Sequence, residues 1–113
     1  MPLTEDQTRD LVHRIVEAAS PLRIILFSSA ARGDDGPKSN IDILVVVSDG
    51  VHRSRTAQTI YRALIGFGAP VDIVVATVSD METYRDSPGL IYSEAVRRGK
   101  VVYTAQPVPA EIP

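Results

Sequence analysis

Two short runs constrain this chain most. Ile41-Asp42-Ile43-Leu44-Val45-Val46 and Val71-Asp72-Ile73-Val74-Val75-Ala76 share one pattern: an apolar residue, Asp, Ile, then apolar residues. β-Branched side chains crowd both, which favours strands, and the first is apolar on both faces, as a central strand covered on both sides must be. Between them an amphipathic segment over about 52–67 is expected to be a helix with Ala57, Ile60, Tyr61, Leu64 and Ile65 on one face. Strand, helix and strand make a crossover, which joins parallel neighbours with a right-handed connection. Parallel neighbours start together. Asp42 and Asp72, each second in its strand, are therefore expected at one level, with Asn40, Asp42 and Leu44 on one face and Asp72, Val74 and Ala76 on one face.

The remaining elements follow from local signals. Thr4-Glu5-Asp6-Gln7 reads as a capping box opening a helix that carries Leu11, Ile15 and Ala18 at helical spacing and stops at Pro21. Arg23–Phe27 reads as a short apolar strand, Ser28–Gly33 as a tight turn, and 34–39, with Gly36-Pro37, as an exposed loop. The connection to the next strand is too short for a crossover, so the first two strands are expected to be antiparallel if adjacent. Ser48-Asp49-Gly50 turns the chain, and Gly66, Gly68 and Pro70 close the second helix. Ser79-Asp80-Met81-Glu82 reads as another capping box before a short helix, Gly89–Arg98 as a fourth helix ended by Gly99, and Lys100–Thr104 as a last strand. The order is α-β-β-α-β-α-α-β. This is an α/β (α+β) chain with one domain over 1–104, a mixed four-stranded sheet flanked by helices, and a Pro-rich flexible tail over 105–113.

Composition narrows the function classes. At 113 residues the chain supports one core, and a net charge of −2 gives no broad basic field for nucleic acid. There is no Cys, so disulfides and thiol chemistry are excluded. Apolar runs are too short to span a bilayer, the N-terminus lacks a signal-peptide layout, and a cytoplasmic domain is the expectation.

Two carboxylates on adjacent strands, roughly 4.8 Å apart, repel unless one is protonated or a cation lies between them. Two carboxylates with water and substrate oxygens suit Mg²⁺. The alternative is that each Asp ends its strand in solvent. Ser28-Ser29, at the end of the first strand, is expected beside the start of the second. Hydroxyls and backbone N–H groups in such a turn suit phosphate oxygens; the alternative is an ordinary serine turn. A receiver-like or flavodoxin-like domain would place its site beyond the carboxyl ends of parallel strands, whereas these aspartates stand at strand starts.

Leu26 to Val47, LFSSAARGDDGPKSNIDILVVV, resembles the signature of the small nucleotidyltransferases of the DNA polymerase β superfamily, and most of all the minimal MNT type that is paired with HEPN-domain toxins. The family pattern is a strand, Gly-Ser, ten residues, Asp-x-Asp, and a third carboxylate on a later strand. Ser28-Ser29 stands at Gly-Ser, Asn40-Ile41-Asp42 at Asp-x-Asp, and Asp72 at the third carboxylate; Ala31-Arg32-Gly33 and the ending SPGLIYSEAVRRGKVVY also match. The resemblance covers about residues 5 to 104. It implies a polymerase-β-like nucleotidyltransferase fold. It also implies Mg²⁺ at Asp42 and Asp72, with Asn40 as the third catalytic position, ATP on Ser28, Ser29 and Arg32 (Arg32 either reaching a phosphate or bracing the turn by a salt bridge), and transfer of AMP to a Tyr hydroxyl of a HEPN partner. A homo-oligomer is also compatible.

The departures cluster at the phosphate and metal positions. Asn40 replaces the first Asp and removes one negative charge. Ser28 replaces Gly, at a steric cost if the position needs positive φ or close approach of phosphate. Ala30 stands where many members carry Arg. Losing such contacts removes powers of ten in rate. Catalysis is therefore expected to be weak or lost, with a non-catalytic antitoxin or nucleotide-binding module as the alternative. Among the other residues, His13 and His52 read as surface, Tyr61 as core edge, and Arg53, Arg55 and Arg62 as a solvated helix face or a strip for an acidic partner; Tyr84 and Tyr92 are candidates for an interface.

Overall fold

Thr4 opens the first helix as the sequence predicts. Its hydroxyl accepts from the Gln7 N–H at 3.0 Å and the Gln7 side chain returns a bond to the Thr4 N–H at 2.9 Å, a complete capping box. The helix, α1, spans Glu5–Ala19 and ends at Ser20, which takes the left-handed conformation (φ 46°) one residue before Pro21. In this computed structural model the described residues are 4–28, 41–84 and 99–105. They form α1, β1 (Arg23–Ser28), β2 (Ile41–Val47), α2 (Arg53–Ala63), β3 (Val71–Thr77), α3 (Val78–Tyr84) and β4 (Lys100–Thr104). These elements follow the expected order; the helix predicted over 89–98 and the tail from 106 onward lie outside the described residues. No helix among the described residues is long and apolar enough to cross a membrane.

The sheet has four strands in the order β3-β2-β1-β4. β1 pairs with β2 and with β4 antiparallel, and β2 pairs with β3 in parallel, so the sheet is mixed. β2 is interior, and Ile43 to Val47 are all buried, as a strand apolar on both faces requires. Its odd-numbered side chains, Ile43, Val45 and Val47, join Ile73, Val75 and Ile24 beneath α1 and α2, where Leu11, Ile15 and Ile60 close the main core. The even-numbered Leu44 and Val46 join Ile25, Phe27 and Ala76 on the opposite face, with Val78 and Met81 of α3 packed against them.

α2 is shorter and narrower in its buried face than the sequence predicts. It ends at Ala63, Gly66 and Gly68 follow with φ of 86° and 95°, and of the expected apolar face only Ile60 is fully buried. Ala57 and Leu64 pack partly, while Ile65 is 78% exposed because the chain has already left the helix there. Its ends are held by side chains. His52 is the N-cap, its Nδ1 accepting from the Arg55 N–H at 3.2 Å. At the other end Arg14 of α1 donates to the carbonyls of Ala63 (2.9 Å) and Ile65 (3.1 Å), meeting C-terminal oxygens that have no helical partner.

α3 starts on a different box from the one the sequence suggests. Thr77, not Ser79, is its N-cap: the Thr77 hydroxyl accepts from the Asp80 N–H at 3.1 Å and the Asp80 carboxylate accepts from the Thr77 N–H at 3.0 Å. Thr-Val-Ser-Asp satisfies the same spacing two residues earlier, and it coincides with the end of β3, where the turn must begin. Arg53 of α2 adds a 2.8 Å ion pair to Asp80, and Asp49 accepts from both the N–H (2.9 Å) and the hydroxyl (2.7 Å) of Ser79.

Those bonds favour the ionised acids. The Ser79 N–H above all, with its hydroxyl, holds the Asp49 carboxyl below the usual carboxylate range. The Thr77 N–H, with a smaller contribution from the Arg53 charge, does the same for Asp80 against some opposing burial. A carboxyl whose folded value lies below its unfolded value, about 3.9 for Asp, stabilises the fold above that value and ceases to as pH falls through the folded one. The urea midpoint is therefore expected to drop on acidification below about pH 4. Asp80→Asn is expected to lower it at pH 7 and to flatten the acid limb, checked by urea unfolding across pH; an acid limb unchanged in Asp80→Asn would count against the latch.

Candidate functional site

The register places the two aspartates opposite one another. Across the parallel pair, Ile41 faces Val71, Asp42 faces Asp72 and Ile43 faces Ile73. Residues paired in register share a face, and neighbouring strands lie about 4.8 Å apart, so both carboxylates rise from one face at one level. That face is the one carrying Leu44, Val46 and Ala76, away from α1 and α2. Asp42 is half-buried and Asp72 exposed, and among the described residues β3 is an edge strand.

The end of β1 reaches the same level. Phe27 pairs with Asp42, and Ser28, the last residue of β1, pairs with Ile41. Phe27, Asp42 and Asp72 thus form one row across three strands. Ser28 itself lies in strand pairing, so the positive-φ argument against serine does not apply there; close approach by a ligand remains the only steric argument. Asn40, Ser29, Arg32 and Ala30 lie outside the described residues.

Oxygen donors side by side on a rigid sheet suit a small hard cation, and Asp42 and Asp72 provide two. Among the described residues no group of three or more His, Cys, Asp or Glu side chains gathers. The third expected position is an amide, Asn40, by sequence. Of the three expected donors, Asp42 and Asp72 are thus the two among the described residues. The α3 anchor is remote from them: Asp49 follows the far end of β2, seven residues from Asp42, or roughly 20 Å along the chain direction.

Sequence reasoning missed Tyr61 as more than a core-edge residue. Its hydroxyl accepts from the Ile73 N–H at 2.9 Å, although the side chain is 45% exposed. A tyrosine in the last turn of a helix, ahead of a short link into a strand, is the available signal. His13 and His52 are exposed, as read, and Arg53 is engaged by Asp80 and not part of a free basic strip.

Comparison with known proteins points one way. The sequence profile described as "Nucleotidyltransferase domain" matches residues 8–101. Among solved structures, a protein of Sulfolobus solfataricus described as a nucleotidyltransferase is similar with a TM-score of 0.55 and 19% identity, over 88% of this chain and 78% of that one. A toxin–antitoxin with AMP-PNP is similar with a TM-score of 0.56 and 21% identity, over 88% of this chain and 74% of that one. At such identities the likeness concerns the fold. No curated protein matches significantly.

Proposed function

The chain belongs to the nucleotidyltransferase domain family, and from that premise we propose that it is a minimal nucleotidyltransferase of weakened catalysis that binds Mg-ATP at Asp42 and Asp72 and acts on a protein partner. The observation that carries the proposal is the Asp42–Asp72 register at one end of the sheet, beside the end of β1. The partner is a HEPN-type toxin and the acceptor a Tyr hydroxyl. Support for a protein partner is the likeness in fold to a toxin–antitoxin, and support for the HEPN class is the sequence signature.

Asp42 and Asp72 would hold Mg²⁺, which when bound neutralises charge on the triphosphate and on the leaving pyrophosphate. The chain's own groups do the rest. Ser28 at the end of β1, with Ser29 and Arg32 after it in sequence, would supply N–H, hydroxyl and guanidinium donors to phosphate oxygens. The acceptor hydroxyl attacks the α-phosphorus, one P–O bond forms as the bond to pyrophosphate breaks, and the hydroxyl proton leaves toward Asp72, the exposed member of the pair. Asn40 supplies a neutral carbonyl oxygen where the family has a carboxylate, so this chain stabilises the transferring group less well.

The same amide favours a second reading, a domain that binds nucleotide or partner without transfer. Incubation with α-labelled ATP, Mg²⁺ and the toxin candidate separates the two. Label on the partner that is lost in Asp42→Ala supports transfer at this site. Heat of Mg-ATP binding without label supports the binder. Label that survives Asp42→Ala, or neither label nor heat, overturns the proposal.

A further inference from the structure

β3 is an edge strand, so the ladder holds it from one side only. In a strand the N–H groups of alternate residues point to opposite sides. The Ile73 N–H points away from β2 and is met by the Tyr61 hydroxyl at 2.9 Å; the Thr77 N–H is met in the same way by Asp80 at 3.0 Å. Two side chains from outside the sheet thus pin the edge of β3 away from β2, and the first pins the peptide joining Asp72 to Ile73. That peptide fixes the Cα of Asp72 relative to Asp42.

We propose that Tyr61 is a positioning residue for the carboxylate pair: its hydroxyl locks the Asp72–Ile73 peptide and so holds Asp72 at the level and orientation at which it can share a cation with Asp42. The inference rests on the metal-site reading given above for its consequence, and on the Tyr61–Ile73 bond alone for its cause. The structural basis is an asymmetry. Asp42 sits on an interior strand, laddered to both β1 and β3, whereas Asp72 sits on the exposed edge. Of the two, Asp72 stands on the strand that the ladder of the described residues holds from one side. α2 adds a constraint there because Ile60, the neighbouring residue, is fully buried in the main core and so holds Tyr61 in place.

Tyr61→Phe removes one oxygen and keeps the ring. Gln58→Gly, on an exposed position of the same helix, serves as a control that loosens α2 without touching Ile73. In Tyr61→Phe the Ile73 amide is expected to exchange about tenfold faster, the Asp72 carboxyl carbon resonance to shift, and Mn²⁺ affinity, read by paramagnetic broadening, to fall about three- to tenfold. Gln58→Gly is expected to leave all of these near wild type after correction for its stability. Tyr61→Phe behaving like Gln58→Gly in exchange and carboxyl resonance overturns the inference. Should the wild-type protein bind no Mn²⁺, the metal-site reading fails while the exchange and carboxyl readouts still decide whether Tyr61 positions Asp72.

Discussion

Asn40→Asp is expected to raise nucleotidyl transfer by about two orders of magnitude, with Ser28→Gly adding a smaller gain and Asp42→Ala on either background returning the rate to baseline. The sizes follow from what each change does. Asn40→Asp restores a full negative charge two residues before Asp42 in sequence, and Asp42 pairs in register with Asp72 across β2 and β3. A single preorganised electrostatic contact in a phosphoryl-transfer or acyl-transfer site is worth about a hundred- to a thousandfold in rate. Ser28, by contrast, sits in regular strand pairing with Ile41, so glycine there relieves no backbone strain and gives only room for phosphate to approach. Transfer of α-label from ATP at matched protein concentration checks the order. A larger gain from Ser28→Gly than from Asn40→Asp would show that the lost rate lies in the phosphate turn and not in the metal charge.

Ile60→Ala is expected to cost about 2–5 kcal/mol in urea unfolding, enough to threaten a domain whose whole stability is of the order of 5–15 kcal/mol. Ile60 is fully buried and is the fully buried residue through which α2 grips the sheet. Its loss leaves a cavity between α2, β3 and α1 that neighbouring side chains fill only in part. Ile65→Ala, five residues on and read from the sequence as part of the same face, is expected within about 0.5 kcal/mol of wild type, because the side chain is 78% exposed. Equal losses at the two positions would contradict the fold at the end of α2.

The contrast between Ile60 and Ile65 shows what the sequence carried. Periodicity identified the helix and its core residue, but periodicity runs on past the point where Gly66 and Gly68 turn the chain, so the face was drawn one turn too long. β2 and β4 were legible to the residue, since β-branched runs bounded by turn residues leave little room for another register. The Asp42–Asp72 pairing was legible because two matching runs joined by a helix fix a parallel register. The Thr77–Asp80 box is not legible in sequence alone because two overlapping S/T-x-x-D/E patterns occur within a few residues, and only the end of β3 chooses between them. Arg14 leaves no local trace and Tyr61 only its place near the helix end: their partners at Ala63, Ile65 and Ile73 lie 49, 51 and 12 residues away in sequence and meet them only after the layers pack.

A double-mutant cycle on Mn²⁺ affinity tests most directly whether Asp42 and Asp72 hold one cation between them. Asp42→Asn and Asp72→Asn should each weaken binding by about tenfold or more, and the double variant should lose far less than the product of the two, because either change already dismantles the shared site. Independent, multiplicative losses, or wild-type affinity in either single variant, would contradict a shared cation.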